Sequence, residues 1–148
     1  MIPRALIIEW KEQAPWPLNE QVEHDLVLSK VICELYSDAM LSEHLVFRGG
    51  TALNKLYFEK SARFSEDLDF VQMHPGPIGP IINMIRDKLD VWLGQPKWKH
   101  SQGNFTLYYS FETEFEPVVQ RKVKIEINTR EHFFVYDPVN KPIEVKSR

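Results

Sequence analysis

A small mixed sheet flanked by helices, an α/β arrangement of the α+β kind, is predicted by three observations. Segments of helical and strand periodicity alternate in the order helix, strand, helix, strand, helix, strand, strand. The last two strands are separated by a loop around Pro117 that suits a hairpin. No repeat, low-complexity tract or linker divides the 148 residues.

Residues 1–18 read as an irregular N-terminal arm, because Pro15 and Pro17 deny a helix its donors and geometry. Residues 19–148 then form one domain. From Asn19, a good N-cap, Val22, Leu26, Ile32, Leu35 and Ala39 keep one apolar face, with Cys33 and Tyr36 beside it. Cys33 is accordingly expected to be a packed thiol. Leu45-Val46-Phe47 is short and apolar and closes on Gly49-Gly50, as a buried strand ending in a tight turn would. A second helix is expected from Thr51, with its hydroxyl as cap and Leu53, Leu56 and Tyr57 facing the core. Asp67-Leu68-Asp69-Phe70-Val71 alternates like a strand, and His74-Pro75-Gly76-Pro77 breaks it. Ile78, Ile81, Ile82, Ile85, Leu89 and Trp92 mark a third helix, stopped by Gly94 and Pro96. Phe105, Leu107, Tyr109 and Phe111 alternate with Thr106, Tyr108 and Ser110, and Val123, Ile125 and Ile127 alternate with Lys122, Lys124, Glu126 and Asn128. The tail after Asp137-Pro138 shows no closing element.

Composition narrows the function classes. With 43% hydrophobic residues, 12% aromatics and a net charge of -3, the chain can build one core and is not disordered. No run approaches the roughly 18 apolar residues of a membrane span, and the first residues lack a signal-peptide core, so a cytoplasmic protein is expected. A single cysteine excludes an internal disulfide, and the five histidines lack zinc-ligand spacing. The mildly acidic balance opposes wholesale coating of nucleic acid but permits a local phosphate site.

Three motifs can carry chemistry. In Arg48-Gly49-Gly50-Thr51 a strand runs into a helix through two glycines, where bare backbone amides and the helix N-terminus can hold phosphate oxygens. The string is neither a GxGxxG fingerprint nor a Walker A loop, and a simple turn is the bland alternative. In Asp67-Leu68-Asp69 the two carboxylates share one strand face while Leu68 and Phe70 point to the core. Their mutual repulsion is removed by a hard divalent cation, although a solvated strand edge would carry the same pattern. Glu126 lies on the polar face of its strand, where a neighbouring strand could present Asp67 and Asp69; a third carboxylate would complete a two-metal site. Taken alone, Glu126 reads as a surface partner of Lys122 or Lys124.

The strings from Phe47 to Lys55, Arg63-Phe64-Ser65-Glu66-Asp67-Leu68-Asp69-Phe70 and Val123-Lys124-Ile125-Glu126-Ile127, in this order and spacing, resemble the nucleotidyltransferase toxin family of the AbiEii type, within the polymerase-beta-like nucleotidyltransferase superfamily. The resemblance extends over positions 24 to 148, including His24-Asp25 and Asn128-Thr129-Arg130-Glu131. It implies use of Mg²⁺ (or Mn²⁺) and a nucleoside triphosphate, transfer of a nucleoside monophosphate to an acceptor such as tRNA, and a cognate antitoxin. On this chain it implies Gly49, Gly50 and Thr51 as the triphosphate cradle, and Asp67 and Asp69 as metal ligands. Glu126 matches the third catalytic and metal-binding position. Lys55, Arg63 and Ser65 lie in the same strings and are candidate phosphate contacts, whereas Arg48 could instead pair with a carboxylate. Family members usually continue beyond the equivalent of Lys146-Ser147-Arg148 into a basic helical region, so this chain is expected to be the N-terminal catalytic part.

A second reading is a catalytically inactive module that binds nucleotide, RNA or a protein partner. Arg121-Lys122-Val123-Lys124, with Arg130, offers a basic strand for phosphates, and a solvated edge would explain it equally well. Missing helical partners would leave apolar sheet surface uncovered, which predicts a homo-oligomer.

Overall fold

The computed structural model describes residues 2–57 and 66–130, except the side chains of Leu53, Asn54, Leu56 and Tyr57. The expectations for those side chains, for Arg63 and Ser65, and for the tail lie outside the described residues. The elements run α1 (Arg4–Trp10), α2 (Asn19–Tyr36), α3 (Ala39–His44), β1 (Leu45–Arg48), α4 (Gly49–Tyr57), β2 (Asp67–Gln72), α5 (Gly79–Leu93), β3 (Lys97–Ser101), β4 (Asn104–Glu112) and β5 (Gln120–Asn128). The sheet order is β1-β2-β5-β4-β3. Among the described strands only the β2–β5 pairing is parallel, so the sheet is mixed, as the sequence predicts.

One face of the sheet carries the core. Leu68, Leu107, Tyr109, Val123, Ile125 and Ile127 are fully buried there, in one cluster with Leu26, Ile32 and Leu35 of α2 and Ile85 and Leu89 of α5. This burial fixes the register. A one-residue slip of β5 would move Val123, Ile125 and Ile127 to the opposite face, at roughly 1.5–3 kcal/mol for each side chain. The even-numbered residues of β5 are thereby held on the other, polar face. Tyr109 brings a hydroxyl into this core, and Asp90 of α5 accepts from it at 2.7 Å.

Four local expectations need correction. The arm over residues 1–18 is not wholly irregular: Arg4–Trp10 is helical, and Ile2, Ile7, Trp10 and Ala14 are buried. Pro3 stands at the N-cap, where a missing N–H costs nothing, and Pro15 and Pro17 govern only the exit. Helix α2 is capped one residue earlier than expected, at Leu18, whose N–H donates to the Gln21 side chain at 3.3 Å. It ends at Tyr36, and Ala39 instead opens α3, exposed, behind an Asp38 cap that accepts from the Leu41 N–H. Finally, β3 is an additional strand that sequence periodicity does not reveal, because all five of its residues are exposed and no apolar alternation marks it. Cys33 is partly buried, and burial with the nearby Glu34 charge pushes its thiol up. Among the described residues no helix is long and apolar enough to cross a membrane.

Candidate active site

The polar face of the sheet brings the predicted acidic residues into register. Asp69 on β2 lies opposite Arg48 on β1 and Glu126 on β5, and Asp67 lies opposite Lys124. The row continues through Thr106 on β4 to Lys99 on β3. Two carboxylates directly across a parallel pair repel each other, and the molecule registers that repulsion. Burial first, then the Glu126 and Asp67 charges, push the Asp69 carboxyl up; Arg48 and Lys124 act the other way. Lys124 Nζ lies 3.7 Å from Glu126, but both side chains are about a third exposed (37% and 34%), so this pair offsets little of the repulsion.

The glycine motif meets this row directly. Gly49 has φ +85°, and a Cβ built on it would stand 2.9 Å from Asp69 Oδ2. Both the backbone conformation and the close approach therefore require glycine, which answers why the strand-to-helix corner carries it. Gly49 and Gly50 open α4 and are exposed, leaving the N-terminal amides of a nine-residue helix beside the acidic row. Thr51 does not cap α4. Its hydroxyl donates to the Asp67 carbonyl at 2.7 Å and is 95% shielded with the rest of the residue, bracing α4 against the start of β2. Gly49→Ala is expected to cost about 1–2 kcal/mol from the left-handed backbone alone, with a further loss from displacing Asp69. Thermal melts would register this as a clear fall in Tm, and an unchanged Tm would contradict the close approach.

Lys55 is turned away from the role expected of it. Its ammonium contacts the Asp25 carboxylate of α2, with the two side chains 7% and 5% exposed, and Asp25 also accepts from Trp16 Nε1 at 3.1 Å. Burial acts to lower the Lys55 pKa, and the touching carboxylate opposes that. Arg121 is likewise not on the basic face assigned to it. Its guanidinium donates to His24 Nδ1 at 3.0 Å, Glu66 at 3.0 Å and Glu20 at 3.4 Å, whereas Lys122 and Lys124 do lie on the polar face. His24 Nε2 is 3.3 Å from the Glu66 carbonyl, so the neutral Nε2–H tautomer satisfies both neighbours. Burial, with Arg121 beside it, pushes His24 down to about 4.

Sequence reasoning gave no structural role to Glu23, His24 or Asp25, three buried polar residues in succession. A signal was available: with Leu26, Val27 and Leu28 following, this stretch of α2 leaves no solvent face, so some charges had to be buried with partners.

Among the described residues, no group of three or more His, Cys, Asp or Glu side chains is arranged to hold a metal ion. The donor chemistry nevertheless fits Mg²⁺ or Mn²⁺. Hard carboxylate oxygens stand on one face, and the upward push on Asp69 from Glu126 and Asp67 is the penalty a cation would relieve.

Comparison with known proteins agrees with this fold. Residues 30–147 match the family model described as nucleotidyl transferase AbiEii toxin, Type IV TA system. The crystal structure of JHP933 from Helicobacter pylori is similar in fold, with a TM-score of 0.54 and 22% identity over 75% of this chain and 44% of that one. MenT4, a nucleotidyltransferase toxin from Mycobacterium tuberculosis, gives 0.52 and 20% over 88% of this chain and 44% of its own. The chain thus spans less than half the length of these solved structures. No curated protein matches it in sequence. With the glycine corner and the acidic row inside the matched residues, the chain belongs to the AbiEii family of nucleotidyl transferase toxins.

Proposed function

We propose that the chain is the catalytic part of a nucleotidyltransferase that moves a nucleoside monophosphate from a nucleoside triphosphate to an RNA acceptor of the tRNA class, as the toxin of a toxin–antitoxin pair. The observation that carries this reading is the register of Asp69 with Glu126 beside the Gly49 corner of α4. In that reading the amides of Gly49, Gly50 and Thr51 hold the β- and γ-phosphates at the positive end of the helix. Arg63 would offset charge on the same phosphates, and the Ser65 hydroxyl would donate a hydrogen bond to them. Mg²⁺ or Mn²⁺, held by Asp67, Asp69 and Glu126, would supply charge neutralisation and a lowered pKa for the acceptor hydroxyl. Glu126 serves as third ligand or as the base that takes the hydroxyl proton. The acceptor oxygen forms its bond to the α-phosphorus as the bond to the pyrophosphate oxygen breaks, and pyrophosphate leaves. Positioning and electrostatics dominate such transfers, so few residues suffice.

The experiment uses α- and γ-labelled triphosphates with total RNA and Mg²⁺, alongside calorimetric titration of each Mg²⁺–nucleotide. The α-label is expected in RNA and the γ-label in pyrophosphate. Nucleotide binding without transfer would favour the inactive binding module, and absence of both would end the nucleotidyltransferase reading for this chain.

A further inference from the structure

The strand β3, Lys97-Trp98-Lys99-His100-Ser101, carries a surface that nucleotide chemistry leaves unused. It pairs with β4 along its length, yet every residue is exposed, and among the described residues it forms one edge of the sheet. Alternation divides its side chains. Lys97, Lys99 and Ser101 register with Tyr108, Thr106 and Asn104 on the same face as the acidic row. Trp98 and His100 register with Leu107 and Phe105 on the other side. Trp98 is 61% exposed but not loose: its ring stacks on Phe105 with centroids 5.7 Å apart and planes 13° from parallel. His100 lies 5.1 Å from the same Phe105 ring. Phe105 thus backs the indole while most of its surface meets solvent.

A further cation is brought to the end of this edge. The exposed Arg130 lies across the β3–β4 turn, where a Cβ on Gly103 would stand 2.7 Å from its Cδ, and the Thr129 N–H donates to the Gly103 carbonyl. On the polar face of β4 and β5, the acidic residues are Glu126 itself and Glu112, which pairs with Gln120 at the far end. Lysines at alternate positions of an edge oppose strand addition by a protein partner. A backed, exposed indole on one side of a strand edge, with cations on its other side, instead meets the two demands of unpaired nucleic acid that wraps the edge, a face for a base and charge for its phosphates. Lys99 also lies in the same cross-strand row as Glu126, two strand spacings or about 10 Å away.

We infer that the β3 edge seats the single-stranded end of the RNA acceptor, with an unpaired base stacked on Trp98 and phosphates on Lys97, Lys99 and Arg130. The assignment rests on the nucleotidyl-transfer reading only for the word acceptor; binding at the edge is separable from it. The strand then approaches the acidic row along the polar face, where Tyr108 and Lys124 adjoin Lys97 in the next row.

The test is fluorescence anisotropy with a labelled, unstructured RNA 12-mer, in EDTA so that no divalent cation contributes, across a salt series. The proteins are the full chain, Trp98→Ala, Lys97→Gln with Lys99→Gln, and Asp67→Asn with Asp69→Asn. Because the edge side chains are exposed, melting curves should match wild type. Trp98→Ala is expected to weaken binding about tenfold. The lysine double variant should lower the slope of log K against log salt by about 1.4, two phosphate contacts at the single-strand value. The aspartate variant should bind as well as wild type or better. Edge variants that bind with wild-type affinity and salt slope overturn the assignment, as does absence of RNA binding at low salt. RNA binding that needs the edge but yields no label transfer leaves this inference standing and removes the enzymatic one. Transfer to RNA that is indifferent to the edge variants does the reverse.

Discussion

Asp69→Asn is expected to lower nucleotidyl transfer at least about a thousandfold, some 4 kcal/mol of transition-state stabilisation, while leaving the apo protein as stable as wild type or more so. The two halves of this result come from one geometry. In the folded chain the Asp69 carboxyl is pushed up by burial and by Glu126 and Asp67, so its charge is held at a cost to the apo state. Asparagine keeps the size of the side chain, removes that repulsion and removes the hard anionic oxygen proposed to hold the cation. Arg48, opposite Asp69, and Lys124 favour the charge, but they rank below the acidic neighbours as causes. Mg²⁺ should raise the wild-type Tm, since a ligand present at a hundred times its Kd adds about 2.7 kcal/mol. The same addition should leave Asp69→Asn nearly unmoved. A variant that loses activity together with several degrees of apo Tm would instead mark Asp69 as a structural residue whose chief partner is Arg48. Retained transfer in Asp69→Asn would remove the acidic row from the mechanism. This cost to the apo state is how a site can oppose stability while the remainder of the fold supplies it.

The acidic row was legible because period-two alternation places Leu68 and Phe70 inward, and with them Asp67 and Asp69 outward. The same alternation in β5 put Glu126 on the polar face. What the alternation could not give was the neighbour: β2 and β5 are separated by α5, β3 and β4 in sequence, and only the parallel pairing sets Glu126 opposite Asp69. The elements that periodicity did not expose had little of it to show. Helix α1 is seven residues long, α3 six, and β3 wholly exposed, so each lacks a repeated apolar stripe. Charged partners were the least legible of all. Arg121 and Lys55 look like free cations in sequence, yet one reaches back 97 residues to His24 and the other 30 residues to Asp25, because long side chains choose partners that only the tertiary fold supplies.

Lys55 turns that difference into a measurement. If its ammonium serves Asp25, then Lys55→Met leaves a carboxylate 5% exposed without its counter-charge and is expected to destabilise the protein by about 3–5 kcal/mol. The Trp16 indole N–H still donates to Asp25 Oδ2, but one neutral donor does not replace an ion pair. Asp25→Asn in the same chain removes the stranded charge and keeps an oxygen for Trp16, so the double variant should recover most of the lost stability. A lysine that served the triphosphate would behave otherwise. Its replacement would cost nucleotide affinity at nearly constant stability, and Asp25→Asn would rescue nothing. Denaturant titration of the single and double variants, read beside their calorimetric nucleotide affinity, separates the two roles. Recovery of stability in the double variant, with nucleotide binding restored alongside it, assigns Lys55 to holding α4 against α2. The Gly49 corner is then anchored from behind by a buried ion pair and from beneath by the Thr51 hydroxyl on the Asp67 carbonyl, which fixes the N-terminus of α4 beside Asp69.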